Sequence, residues 1–161
     1  MRFVMKIIGI DPGLTKTGVG IIEIKNNLLS FVACDTIYSQ ASDPLFVRLN
    51  HFHKSLTEII KKYKPDVAAI EETFVNQNPV SSLKLGQARG ALILTLSLCD
   101  LEVHEYPSTS VKKAVVGAGK AQKEQVQAMI KILLPKSNFN NEDEADALAI
   151  AICHNNNLKK Y

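Results

Sequence analysis

Three β-type apolar runs fill the first 37 residues, and at Asp43-Pro44 the apolar spacing changes from the short runs of strands to the alternating fours and threes of a helix. The first run, residues 3–11, closes on Asp11-Pro12-Gly13, where Pro and Gly stand in favoured turn positions. The second covers residues 18–24, and Asn26-Asn27 turns the chain into the third, residues 28–37. Strands joined so briefly pair as an antiparallel meander. Beyond them Asp43 is read as a helix cap and Pro44 as the first helical residue. Leu45, Leu49, Phe52, Leu56, Ile59 and Tyr63 then mark one buried face, and Pro65 stops the helix. Residues 66–71 read as a short buried strand, 81–98 as a helix, 102–106 as a strand, and 108–116, 122–134 and 141–155 as helices. The order βββαβαβααα predicts an α/β fold with a five-stranded mixed sheet, its first three strands antiparallel, flanked by helices.

Composition narrows the class. A chain of 161 residues, 46% of them apolar, carries a core sufficient for one domain, expected over residues 1–155 with a short polar tail over 156–161. Cys34, Cys99 and Cys153 are an odd number, widely spaced and without a CxxC pair, which argues against a disulfide framework or a structural zinc site and for a reducing, cytoplasmic setting. The longest apolar uncharged stretch, residues 90–99, is far short of a membrane span, so no membrane partner is expected. A formal net charge of +3 is compatible with a polyanionic partner without requiring one.

Four carboxylates occupy positions that folding would bring together. Asp11 ends the first strand and Glu71 the fourth. If those strands are parallel neighbours, both acids emerge at the sheet edge where α/β folds place their sites. Asp143 and Asp146 are spaced i, i+3 on the last helix and share a face, whereas Glu142 and Glu144 point elsewhere. Asp146 lies among Ala145, Ala147, Leu148, Ala149 and Ile150, where a carboxylate is costly to bury without a compensating charge. Taken singly, Asp-Pro-Gly is an ordinary turn, Glu71 a strand-end acid and Asp143 a first-turn helix acid. Taken together, the hard oxygen donors suit Mg²⁺ or Mn²⁺, and two such ions perform in-line phosphodiester hydrolysis.

Five segments carry a resemblance. They are Ile8-Gly9-Ile10-Asp11-Pro12-Gly13, Ala69-Ile70-Glu71, Leu83-Lys84-Leu85-Gly86-Gln87-Ala88-Arg89-Gly90, Val115-Val116-Gly117 and Asp143-Glu144-Ala145-Asp146-Ala147-Leu148-Ala149. In this order, over nearly the whole chain, they resemble the RuvC family of Holliday-junction resolvases. The resemblance implies an RNase H-like fold, a homodimer, and Mg²⁺-dependent nicking of two opposed strands of four-way junction DNA, in concert with the RuvA–RuvB branch-migration complex. It implies that Asp11, Glu71, Asp143 and Asp146 are the catalytic acids holding two Mg²⁺ ions, with Mn²⁺ as a substitute. It further assigns DNA contact to Phe74, Lys112 and Lys123. Two departures stand out: Glu72, an acid beside the strand-end Glu, which faces the other side where the strand persists to it, and the short C-terminal tail.

Lys84 and Arg89 in the longest segment, and Lys120 beside Lys112, Lys113 and Lys123, are further candidate DNA contacts. Lysine point charges suit phosphates, giving salt-dependent binding. Phe74 on a polar loop is placed to stack on an unpaired base or to fold back on the core. His51 and His53 read as surface residues, and His104 as either packed or functional. Other readings of the same residues are an RNase H-like nuclease acting on RNA or another branched nucleic acid, a one-lobed relative of phosphotransferases that open with Asp-x-Gly, and a junction-binding module without catalysis.

Overall fold

Ile7, Gly9 and Asp11 alternate with Ile8 and Ile10, so β1 (Val4–Asp11) presents two different faces. The computed structural model describes residues 4–73 and 77–158. Within them β1 pairs antiparallel with β2 (Lys16–Lys25), and β2 antiparallel with β3 (Leu28–Tyr38). The chain then passes through α1 (Leu45–Tyr63) and returns as β4 (Val67–Glu71) on the other side of β1, parallel to it. After α2 (Pro79–Leu98), β5 (Glu102–Tyr106) adds parallel to β4, giving the order β3-β2-β1-β4-β5. The meander is as the sequence predicts, and the parallel β1–β4 pair meets the condition on which Asp11 and Glu71 share an edge. The chain closes with α3 (Ser108–Val116), α4 (Lys123–Leu133) and α5 (Glu142–Leu158).

Each face of the sheet has its own core. On one, Ile8, Ile10 and Ile70 meet Phe52 and Leu56 of α1 and Leu92 and Leu96 of α2. Full burial of a side chain of this size contributes roughly 1.5–3 kcal/mol. On the other, Ile7, Ile22, Val67 and Ala69 meet α3, α4 and above all α5, whose residues from Ala147 to Asn155 are all buried.

Three local expectations are corrected. Asp43 does not cap α1: Pro44 is the boundary residue, with φ −56° and ψ 148°, no side chain caps the helix, and the Pro44 carbonyl accepts from the Val47 and Arg48 amides. The first turn is instead tied down by Arg48, which is buried and donates to the Leu14 carbonyl at 2.7 Å and to Ser39 Oγ at 2.9 Å. Helix α2 starts two residues early, because Asn78 Oδ1 accepts from the Ser81 amide and Pro79 needs no donor at the first position. Residues 156–158, expected in the tail, are the last part of α5, where Asn156 Nδ2 donates to the Ala114 carbonyl at 3.0 Å.

Candidate active site

The register places the first two acids side by side. Ile10 pairs with Ile70 across β1 and β4, so Asp11 and Glu71, each the next residue, leave adjacent strands at the same edge. Alternation puts both on the face covered by α5, with Ile7 and Val67. The turn after Asp11 is fixed locally: Thr17 Oγ1 donates to the Gly13 carbonyl at 3.0 Å, and a Cβ on Gly13 would stand 1.9 Å from the Lys16 carbonyl oxygen.

Close approach of α5 supplies the other two. A Cβ on Gly18, the antiparallel partner of Asp11, would stand 2.1 Å from the Asp143 carbonyl oxygen; one on Gly9 would stand 2.0 Å from that of Ala147. The helix backbone therefore lies directly on strand backbone, and its first turns overhang the edge where Asp11 and Glu71 emerge. Asp143 and Asp146 are half-buried there.

The electrostatics record this convergence. Asp11 is pushed up from 3.8 to about 9, by burial first and then by the negative charges of Glu71, Asp146 and Asp143, and it shares a side-chain hydrogen bond with Glu71. Asp146 is raised to about 6 by burial and by Glu71, Glu142 and Asp143, against the opposing pull of Lys123. Glu72 is not among these charges: β4 ends at Glu71, and the Glu72 amide continues the ladder to the Tyr106 carbonyl at 2.9 Å. Of the neighbours on α5, Glu142 stays close enough for Asp146 to feel its charge, contrary to the expectation that it points away, and only Glu144 leaves the cluster. Glu142 pairs with Lys123 at 2.6 Å, and Glu144 turns to β3.

A cavity of about 180 Å³ opens beside the acids, lined in part by Glu71, Asp146, Lys112, Lys123 and Ser108. Two of the candidate lysines are thus brought to the acids. Lys120 and Lys84 are exposed and do not line this cavity. Phe74 lies outside the described residues. Arg89 is engaged with protein: its Nε donates to the Glu71 carbonyl at 2.9 Å and its guanidinium pairs with Glu105. Sequence reasoning sees a cation on a helix and misses this brace, because nothing in the segment tells that Arg89 reaches back 18 residues to the strand end. His53 is likewise not a free surface residue; its Nδ1 lies 2.9 Å from Thr95 Oγ1, between α1 and α2. His104 is packed, its ring centroid 4.3 Å from that of His154.

The donor set fits a divalent cation by chemistry and charge. All four candidate ligands are carboxylates, which suit hard cations, and the burial and repulsion that raise Asp11 are what a cation would offset. Among the described residues no three His, Cys, Asp or Glu side chains are already set around one point. The Asp11–Glu71 hydrogen bond draws those two carboxyls onto each other instead.

The chain matches proteins of known family over nearly its whole length. The family described as Crossover junction endodeoxyribonuclease RuvC matches residues 7–154. The crossover junction endodeoxyribonuclease RuvC of Rhizobium johnstonii is 52% identical over 157 residues, covering 98% of this chain and 93% of that protein. The structure of Thermus thermophilus RuvC superposes with a TM-score of 0.87, and RuvC of the same organism in complex with Holliday junction substrate with 0.90. Both are 28% identical and cover 97% of this chain and 96% of theirs. The five-stranded sheet is thus the RNase H-like one. With a family match over all but the two ends and half the residues shared with a full-length relative, the chain belongs to the RuvC family of crossover junction endodeoxyribonucleases.

Proposed function

We propose that this chain is a structure-selective DNA endonuclease that nicks two opposed strands of a four-way junction during recombination and repair. The observation that carries it is the placement of Asp11 and Glu71 side by side at one sheet edge, with Asp143 and Asp146 carried over that edge by the first turns of α5. In this reading the four acids hold two Mg²⁺ ions, for which Mn²⁺ substitutes, and the ions supply Lewis acidity at the scissile phosphate. Lys112 and Lys123, in the cavity beside Glu71 and Asp146, bind the flanking phosphates and offset the acids' repulsion of DNA. Lys84 and Lys120 add phosphate contacts further out, Phe74 stacks on a base at the branch point, and Arg89 acts by holding the strand end that bears Glu71.

A homodimer is part of the proposal, since a twofold molecule matches the two equivalent strands of a junction. Its support is an exposed stripe of α2, Val80, Leu83, Leu94 and Leu98, at helical spacing. Gly86 and Gly90 lie between its two halves with open space beside them, leaving room for a second helix to approach. Cooperation with the RuvA–RuvB complex in the bacterial cytoplasm, at the nucleoid, rests on the family alone; no helix among the described residues is long and apolar enough to cross a membrane.

The test is incubation with a synthetic immobile junction, a linear duplex and an RNA–DNA hybrid, with Mg²⁺ or EDTA, mapping nicks on every strand. Paired nicks on opposed junction strands, only with metal, are expected. Preferential cutting of the hybrid would move the assignment to an RNA-directed nuclease. Asp146→Asn should abolish nicking, keep junction binding and leave metal-free stability equal or higher, because it removes a carboxylate repelled by its neighbours. A large loss of metal-free stability would make Asp146 a structural anchor.

A further inference from the structure

Glu144 is an acid that the nuclease reading does not use, and it is one of the most buried polar side chains, 4% exposed. No Lys or Arg pairs with it among the described residues. Its carboxylate is met by neutral donors instead: Thr36 Oγ1 at 3.0 Å on one oxygen, and the Asn140 amide at 2.7 Å and Cys34 Sγ at 3.3 Å on the other. Asn141 completes the ring. Its Oδ1 accepts from the Glu144 amide at 2.9 Å, its carbonyl from the Ala145 amide, and its Nδ2 donates to Thr36 Oγ1 at 2.9 Å.

Asn141 is therefore the cap of α5, and Glu144, at the third helical position, reaches back past the cap to the preceding amide, a capping box displaced by one residue. An ordinary capping box closes on itself. This one is fastened to β3, because two of the three donors to Glu144 come from that strand. The acids Asp143 and Asp146 lie on either side of Glu144 in sequence, so whatever fixes the first turn of α5 against β3 also fixes where their carboxylates stand relative to Asp11 and Glu71. Burial of a carboxylate is costly, and an apolar residue would pack a plain helix end more cheaply. What the polar ring supplies in return is directional: hydrogen bonds hold the helix at one rotation and one height, which an apolar contact does not.

We propose that Glu144, with Thr36 and Asn141, is a positioning residue for cation binding: it locks the first turn of α5 to β3 so that Asp143 and Asp146 converge on Asp11 and Glu71. The proposal rests on the reading that those four acids hold the cations, and its test separates the two.

Glu144→Ala, Glu144→Gln and Thr36→Val are compared with the wild type in the full chain. The readouts are the Mg²⁺ concentration giving half-maximal junction nicking, the Mn²⁺ concentration giving half the thermal stabilisation in the absence of DNA, and junction affinity in EDTA. Glu144→Ala should raise both metal midpoints by about tenfold, the scale of losing a supporting contact around a metal site. Junction affinity should not change. Glu144→Gln should recover most of the loss, since its amide oxygen still accepts from Asn140 and Cys34 while its nitrogen donates to the Thr36 hydroxyl. Thr36→Val should raise the midpoints in the same direction by less. If the alanine variant does not fold, the glutamine and Thr36 variants carry the test alone. A fall in melting temperature with unmoved metal midpoints would overturn the proposal and leave Glu144 a plain helix cap. A wild-type protein that neither nicks nor responds to Mn²⁺ would overturn the reading of the acids, and this proposal with it.

Discussion

Under α1 and α2 the sheet is covered by long side chains; under α5 a side-chain core is joined by places where helix backbone rests on strand glycines. Phe52, Leu56, Leu92 and Leu96 stand between sheet and helices on the first face. On the second, Gly9 and Gly18 face the carbonyls of Ala147 and Asp143 with no room for even a methyl group. Long side chains give bulk burial and tolerate small displacements of a helix. Backbone against backbone gives less burial per residue but fixes the separation, and acids carried on such a helix are held at a defined distance from acids on the strands. Both faces stabilise the fold, and the second also aims the site.

Breaking each face separately is the strongest way to test this difference. Gly9→Ala places a Cβ 2.0 Å from a main-chain oxygen with no flexible group to give way, so α5 must lift. We expect a loss of at least about 3 kcal/mol, and, in whatever population still folds, nicking that is lost or needs far more Mg²⁺. Leu92→Ala on the opposite face leaves a cavity and should cost about 2–5 kcal/mol, yet its folded molecules should nick with the wild-type Mg²⁺ requirement. Denaturant unfolding alongside a Mg²⁺ titration of nicking checks the pair. Equal loss of metal response in both variants would erase the distinction between the faces.

The pH dependence sharpens the same contrast. Asp11 is raised from 3.8 to about 9 and Asp146 to about 6, so without metal the folded protein holds protons that the unfolded chain releases. That contribution to stability is fully present below about pH 4 and is lost as pH rises, first through about 6 and finally through about 9. Melting temperature measured in EDTA should therefore fall across this window by more in the wild type than in Asp11→Asn, whose amide does not titrate. Saturating Mg²⁺ should remove most of the difference, because the ions replace the protons as the positive charge. Identical pH slopes for the two proteins would mean that neither burial nor its neighbours raise Asp11.

Sequence alone reached the acids because each sits at the end of a regular element: Asp11 and Glu71 close apolar strands, and Asp143 and Asp146 open a helix. Element ends can be read from turn residues and a change of period. The apolar spacing that found α1 likewise found its buried Phe52 and Leu56. What stayed hidden are bonds between distant segments. Nothing local ties Glu144 to Thr36, 108 residues away, or Arg89 to the Glu71 carbonyl. In sequence Gly9 and Gly18 are parts of a strand and a motif and give no sign of a seat for a helix, since what fills the space over a glycine belongs to another element. Asp43 is a related case: a capping residue before Pro is a local signal, but the helix end is held by Arg48 reaching across to Leu14 and Ser39.

The smallest expected effect separates the two ends of α5 itself. Its far end is tied to the sheet by the Tyr106 hydroxyl, 2.8 Å from His154 Nδ1, with His104 stacked on the same ring. Burial and the neighbouring His104 hold His154 down at about 4, so the ring is neutral and available to that hydroxyl at ordinary pH. Tyr106→Phe removes one neutral hydrogen bond and should cost about 1 kcal/mol. His154 lies eight residues beyond Asp146, about 12 Å along the helix, and the glycine seat and the Glu144 ring both lie nearer the acids. The variant should therefore melt slightly lower while the Mg²⁺ midpoint for nicking stays where it is. A midpoint that moves as far as in Glu144→Ala would show that α5 responds as a rigid rod, with its placement set by both ends alike rather than by the ring at its start.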